Sequence, residues 1–171
     1  MIKQIKWFDR KFNFDFPVEL FPNIVERLGG TPARLEEKFR MLPSTILTRK
    51  SGSVWSIQEH AGHLIVLDEL HYGRLIDYKN GETKLRPADL LNTKTNEENF
   101  NIKNPDEILK EFRSLRMKFV AELNNINEVQ AAAVAEHPRL KQQMRLIDML
   151  YFIAEHDDHH LAAMERLANS F

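Results

Sequence analysis

The stretch LIDMLYFIAEHDDHHLAAMERLA near the C-terminus contains neither glycine nor proline, and it constrains the fold more than any other segment. At roughly 100° per residue its apolar positions close into one stripe. Met149, Ile153, His156, His160, Ala163 and Leu167 share that face, whereas Glu155, Asp158, Glu165 and Arg166 lie away from it. A long helix with one apolar stripe must lay it against other elements. Set into the stripe are two imidazoles, His156 and His160, one helical turn apart. Burying two titratable rings without a partner is costly, and a divalent metal is the simplest partner.

The remaining segments supply three more helical elements. Residues 17–41 read as a first helical arm bent at Gly29-Gly30, with Thr31-Pro32 as an N-cap followed by proline at the first helical position. Ser53 or Ser56 can cap a second helix over about 56–78, ending near Asn80-Gly81. Asn104-Pro105-Asp106-Glu107 combines cap, proline and first-turn acids, and opens a third helix over about 105–124. Residues 43–54 and 81–103 are polar connections, and a small helix over 127–135 precedes the last helix at about 146–169. No strand pair stands out, so the fold class expected is all-α, a four-helix bundle. The 171 residues suffice for one buried core and require no second domain, so a single domain over 1–171 is expected. Residues 1–16, where Phe12, Phe14 and Phe16 alternate, are expected to form an extended arm laid over the body, covering the core rather than caging a ligand.

Composition removes several function classes. The formal net charge is −1 with no basic run, which argues against a nucleic-acid surface. No apolar stretch approaches the roughly 18 residues that span a bilayer. The N-terminus MIKQIKWFDRKFNF lacks the continuous apolar segment of a secretory signal, so the cytoplasm is the expected compartment. The absence of cysteine excludes disulfides, thiolate nucleophiles and Cys-type zinc sites. Any metal must be held by nitrogen and oxygen.

A third imidazole meets the same test. On the second helix His63 shares a face with Leu67 and Leu70, so it points inward from a different helix than the pair. Bundles build metal sites from side chains on facing helices. Three neutral imidazoles can hold Zn²⁺, Ni²⁺, Fe²⁺ or Mn²⁺ with a position left for water or substrate, zinc being the first expectation. The competing reading makes all three core histidines bonded to backbone or carboxylates.

These residues also carry a resemblance. Trp55-Ser56-Ile57-Gln58-Glu59 followed by His63-Leu64 resembles the W-S-x-x-E-x-x-x-H-L signature of DinB-like proteins, and His156-Asp-Asp-His-His160 resembles their C-terminal H-x-x-x-H. GTPARLEEKF and Asp148-Met149-Leu150 are similar too, so the likeness runs from about residue 18 to 169. It implies an up-down-down-up four-helix bundle, a metal held by His63, His156 and His160, and frequent homodimers. The superfamily includes thiol-dependent S-transferases and mycothiol-dependent isomerases, beside members described as metal-dependent hydrolases.

Around the three ligand candidates stand groups that could move protons. His159 lies about 60° off the stripe centre, toward the rim. His60 lies about 60° round from His63 and is expected at the mouth of the site, as a polar residue or a proton shuttle. Glu59 either orients an imidazole or caps the second helix. Arg74, on the His63 face, could hold an anionic substrate group, though extension past the bundle end is the simpler expectation. Asp157 and Asp158 are expected in solvent, and His71 and His137 at the surface or in loops. The functional expectation is a metal-dependent enzyme with a small-molecule substrate, activating either water or a low-molecular-weight thiol. A non-catalytic, stress-associated metal- or ligand-binding bundle is the alternative.

Overall fold

Short-range chemistry sets where the helices begin. The computed structural model describes residues 2–171. After an arm holding one 3-10 turn at Trp7–Asp9, the chain forms α1 (Phe21–Gly29), α2 (Thr31–Met41), α3 (Ser44–Leu47) and α4 (Ile57–Lys79). Then follow α5 (Thr93–Glu97), α6 (Pro105–Leu123), α7 (Glu128–Ala131), strands β1 (Val134–His137) and β2 (Gln142–Arg145), and α8 (Leu146–Ala168). Ser56 starts α4: its hydroxyl accepts from the Glu59 amide at 3.1 Å, and the Glu59 carboxylate accepts from the Ser56 amide at 2.8 Å. This is a reciprocal capping box. Asn104 caps α6 by accepting from the Asp106 amide at 2.9 Å.

The strand pair corrects the all-helical expectation. β1 and β2 pair antiparallel, Val134 opposite Arg145 and His137 opposite Gln142. Ala135 and Met144 point into the core while Glu136 and Gln143 do not, a period of two that a helix cannot satisfy. The expected helix over 127–135 therefore shrinks to α7. The polar connections also hold the short helices α3 and α5.

Two apolar clusters fix the direction of each helix. The first gathers α1, the end of α4 (Leu75, Tyr78), the end of α6 (Phe119, Leu123) and the first half of α8. The second gathers α2, the start of α4 (Ile57, Leu64), the start of α6 (Ile108, Phe112) and the last half of α8. The arm α1–α2 thus runs from the first cluster to the second, α4 and α6 both run back, and α8 runs forward again. The four-helix bundle is ordered up, down, down, up. Parallel neighbours need a long return, and residues 80–104 provide it between α4 and α6. The Gln58 side-chain amide ties this crossover to α4, donating to the Phe100 carbonyl at 2.6 Å and the Lys103 carbonyl at 2.8 Å. At Gly62 the Phe100 ring presses so close that a Cβ would lie 2.1 Å from it.

Between the two clusters lies a buried ion network. Arg116 grips Asp68 through Nε at 2.9 Å and Nη2 at 2.7 Å, and meets Asp157 through Nη1 at 2.5 Å. It also donates to the Leu28 carbonyl at 3.2 Å. Asp157 is therefore fully buried rather than solvated, and Thr31, expected as an N-cap, donates its hydroxyl to Asp157 at 2.8 Å. Burial pushes the Asp68 carboxyl up, but Arg116 and His71 outweigh it and hold the group below the usual carboxylate range. Asp158, one residue on, faces outward to Arg27 and Arg34. No helix among the described residues is long and apolar enough to cross a membrane.

Candidate metal centre

Helical spacing delivers the imidazole pair and bundle geometry delivers the third ring. On α8, His156 and His160 occupy successive turns of the inward face, with Nε2 atoms 3.1 Å apart. His63 projects from α4 onto the same point, its ring centroid 4.8 Å from that of His160 and 5.5 Å from that of His156. One nitrogen from each ring lies within 4.8 Å of the others, and all three residues are buried. A tetrahedral cation about 2.0–2.1 Å from each nitrogen would hold them roughly 3.3 Å apart. The donor set and its spacing fit a divalent metal.

The outer nitrogens select which atoms converge. His63 Nδ1 lies 3.1 Å from the Thr95 hydroxyl, and His160 Nδ1 lies 2.7 Å from His60 Nδ1. Both contacts engage Nδ1 and leave Nε2 for the centre, the usual way outer partners fix ring and tautomer. His156 Nδ1 is buried without a partner among the described residues. Burial drives the His63 pKa down to about 3, with His60 and His71 adding to it, and pushes His156 and His160 far below the ordinary value. The rings are consequently neutral at pH 7, the form whose lone pair a metal needs.

The neighbouring residues take distinct places. His60 stands behind His160, buried, rather than at the mouth; burial and then His159 lower its pKa to about 4. His159 lies at the cavity rim, half-buried, its Nδ1 accepting from the Gln4 side-chain amide at 3.1 Å. Glu59 is spent on the Ser56 capping box and on Lys50, whose ammonium lies 2.9 Å away. It touches no imidazole of the cluster. Two tryptophans flank the rings: Trp55 lies 4.7 Å from His63 and Trp7 4.7 Å from His156, centroid to centroid. The aromatic arm thus does more than cover the core, because Trp7 and Phe8 form part of the cavity wall.

That cavity, about 180 Å³, opens onto the three imidazoles and continues along the α4 face past Leu67 and Leu70 to Arg74. Three expectations fail there. His71 and His137 are buried, and Arg74, only 3% exposed, turns into the protein instead of extending past the bundle end. Thr95 and Arg139 escaped the sequence reading altogether. Thr95 sits in the crossover, where nothing local marks it, and Arg139 follows β1 in the hairpin connection.

A family model for the DinB superfamily matches residues 27–164. The arm that carries Trp7 and Gln4 lies outside that span. Among solved structures, the chain is similar to YfiT from Bacillus subtilis, with a TM-score of 0.82 at 20% identity over 94% of this chain and 93% of that one. YfiT is described as a probable metal-dependent hydrolase with an unusual four-helix bundle topology. No curated protein matches the sequence.

Proposed function

The chain belongs to the DinB superfamily, and from that premise we propose that it is a metal-dependent hydrolase of a small molecule, with its cation held by His63, His156 and His160. The observation that carries this reading is the convergence of three buried, neutral imidazoles on the wall of an open cavity. Three protein ligands leave a coordination position free, the mark of a catalytic rather than a structural ion. The description of YfiT supports the same reaction class. Zinc is the first candidate for a site of this donor type, with nickel, iron and manganese behind it.

When bound, such a cation supplies Lewis acidity that brings the pKa of a water in its open position toward neutrality. The protein's residues do the rest. Thr95 and His60 hold two of the rings in orientation from behind. His159, with Nδ1 committed to Gln4, carries its proton on Nε2 when neutral and is the proton carrier at the rim. Trp7, Trp55 and Phe152 keep bulk water from the walls. A second reading puts a low-molecular-weight thiol in the open position. The apolar wall of Leu67, Leu70 and Phe152 favours it, and the chain has no cysteine to compete.

The test is a turnover screen of metal-reconstituted protein against small esters, amides and electrophiles, with and without added thiols. Hydrolysis independent of thiol, reduced more than about 100-fold in the His156→Ala variant, is expected, since outer partners of metal ligands alone carry 10–100-fold effects. Turnover only in the presence of a thiol would transfer the assignment to the second reading. A fully metallated protein inert towards the whole set would overturn both.

A further inference from the structure

The cavity has a second polar end. Arg74 lies on the α4 face that carries His63, eleven residues further on, so the two Cα positions are about 16 Å apart along the axis. Arg74 is buried, with 3% of the residue exposed. Its Nε donates to the Arg86 carbonyl at 3.1 Å, its Nη1 lies 3.2 Å from His137 Nε2, and its Nη2 has no partner among the described residues. The nearby carboxylate on α4, Asp77, is turned to Arg86, which it binds through Nη2 at 2.7 Å and through the backbone amide at 3.0 Å. A second cation faces the same space. Arg139 stacks over Phe8 at 5.0 Å and Phe152 at 5.5 Å and, among the described residues, makes no ion pair and leaves a buried Nη2 without a partner.

Buried guanidiniums are normally paired. A buried Arg74 and a half-buried Arg139, both without a carboxylate partner among the described residues, line one cavity and make this end of it a seat attractive to an anion. Asp89, the acid on the cavity wall, is exposed, accepts from the backbone amides of Leu91 and Lys94 at 3.1 and 3.2 Å, and is ion-paired to neither arginine among the described residues. It does not neutralise the pair. The two unpartnered Nη2 groups have donors to spare, and a carboxylate, with two acceptor oxygens, is an anion that guanidinium groups bind strongly. Between the seat and the imidazoles the wall is apolar, formed by Leu67, Leu70 and Phe152.

We infer that Arg74 and Arg139 hold the carboxylate of the substrate, which is a small carboxylic acid carrying its reactive group across an apolar spacer at the three-histidine end. The inference rests on the proposed metal site for the position of the reacting group, but the seat itself needs no metal. Arg74 is thus a specificity residue: it binds the part of the substrate that does not react.

The test titrates hexanoate, hexanamide and inorganic phosphate into the intact protein, with Trp7 and Trp55 fluorescence and calorimetry as readouts. Hexanoate should bind at least about tenfold more tightly than hexanamide, the size of one charge-assisted hydrogen bond. Arg74→Met and Arg139→Met should each lose about tenfold for hexanoate and nothing for hexanamide, and Arg74→Lys should recover part of the loss. Arg74→Met should also unfold at an equal or higher temperature, because it removes an unpaired buried charge. A purely structural arginine would lower it, and that result counts against the seat. Phosphate binding more tightly than hexanoate would overturn the carboxylate assignment. The His63→Ala variant separates the two readings. If hexanoate binding survives there but not in Arg74→Met, the seat stands whatever the metal content. If binding is lost in His63→Ala and kept in Arg74→Met, the carboxylate sits on the metal, so the seat fails while the metal centre stands.

Discussion

Two buried polar groups sit in the same bundle, and they are built on opposite principles. Around Arg116 every strong donor is matched: two aspartates, a backbone carbonyl and the Thr31 hydroxyl close the network. Around the cavity the matching stops. His156 Nδ1, Arg74 Nη2 and Arg139 Nη2 are all buried without hydrogen bonds among the described residues. The first arrangement holds four helical segments together; the second leaves valences for something from outside. Closed networks mark structure and open ones mark function, because an unsatisfied buried polar group persists only where it is offset elsewhere or by a ligand.

The contrast is broken most strongly at Arg116. Arg116→Ala leaves Asp68 and Asp157 buried without their counter-ion and should cost about 3–5 kcal/mol in urea unfolding. A loss below about 1 kcal/mol would show that the network is not closed as described. Acid separates the two groups next. In metal-free protein the buried histidines are neutral when folded, with His63 and His137 at about 3 and His60 at about 4, whereas unfolding releases them to 6.5. Each therefore contributes stability that is fully present above pH 6.5 and is lost as pH falls toward those folded values, by up to about 1.4 kcal/mol per pH unit for each ring. Melting temperatures should be flat from pH 7 to 8 and fall steadily below 6.5; a profile flat down to pH 4 would contradict the burial of these rings.

Smaller effects sharpen the same line. Thr95→Val and His60→Ala remove the outer partners of His63 and His160, and each should weaken metal affinity by about 10–100-fold in a chelator competition while the fold persists. The mildest change is Glu59→Gln. It keeps a capping-box side chain and removes the charge paired with Lys50, so it should cost less than about 1 kcal/mol of stability with unchanged metal content, whereas loss of metal would return Glu59 to the site.

The legible and illegible parts of this chain divide by range. α4, α6 and α8 follow from 3.6-residue periodicity and from caps at Ser56 and Asn104, all within one or two turns of sequence. His63, His156 and His160 were visible for the same reason, since placement on an inward face is a local property. Asp157 read as solvated because its partner Arg116 lies 41 residues away on another helix. His71, His137 and Arg74 misled in the same way: their burial depends on the crossover and the hairpin closing over α4. The hairpin itself was hidden by its brevity, four residues a strand behind an alanine run that suits a helix equally well. What decides the substrate end of the cavity is therefore tertiary.

The central claim, a cation held jointly by His63, His156 and His160, is tested most directly by elemental analysis and X-ray absorption on protein purified without chelator. The account predicts about one divalent metal per chain in a shell containing three imidazole nitrogens, falling to background in His156→Ala. A metal-free wild-type protein after growth in metal-replete medium, or a metal that stays when His156 is replaced, would contradict it.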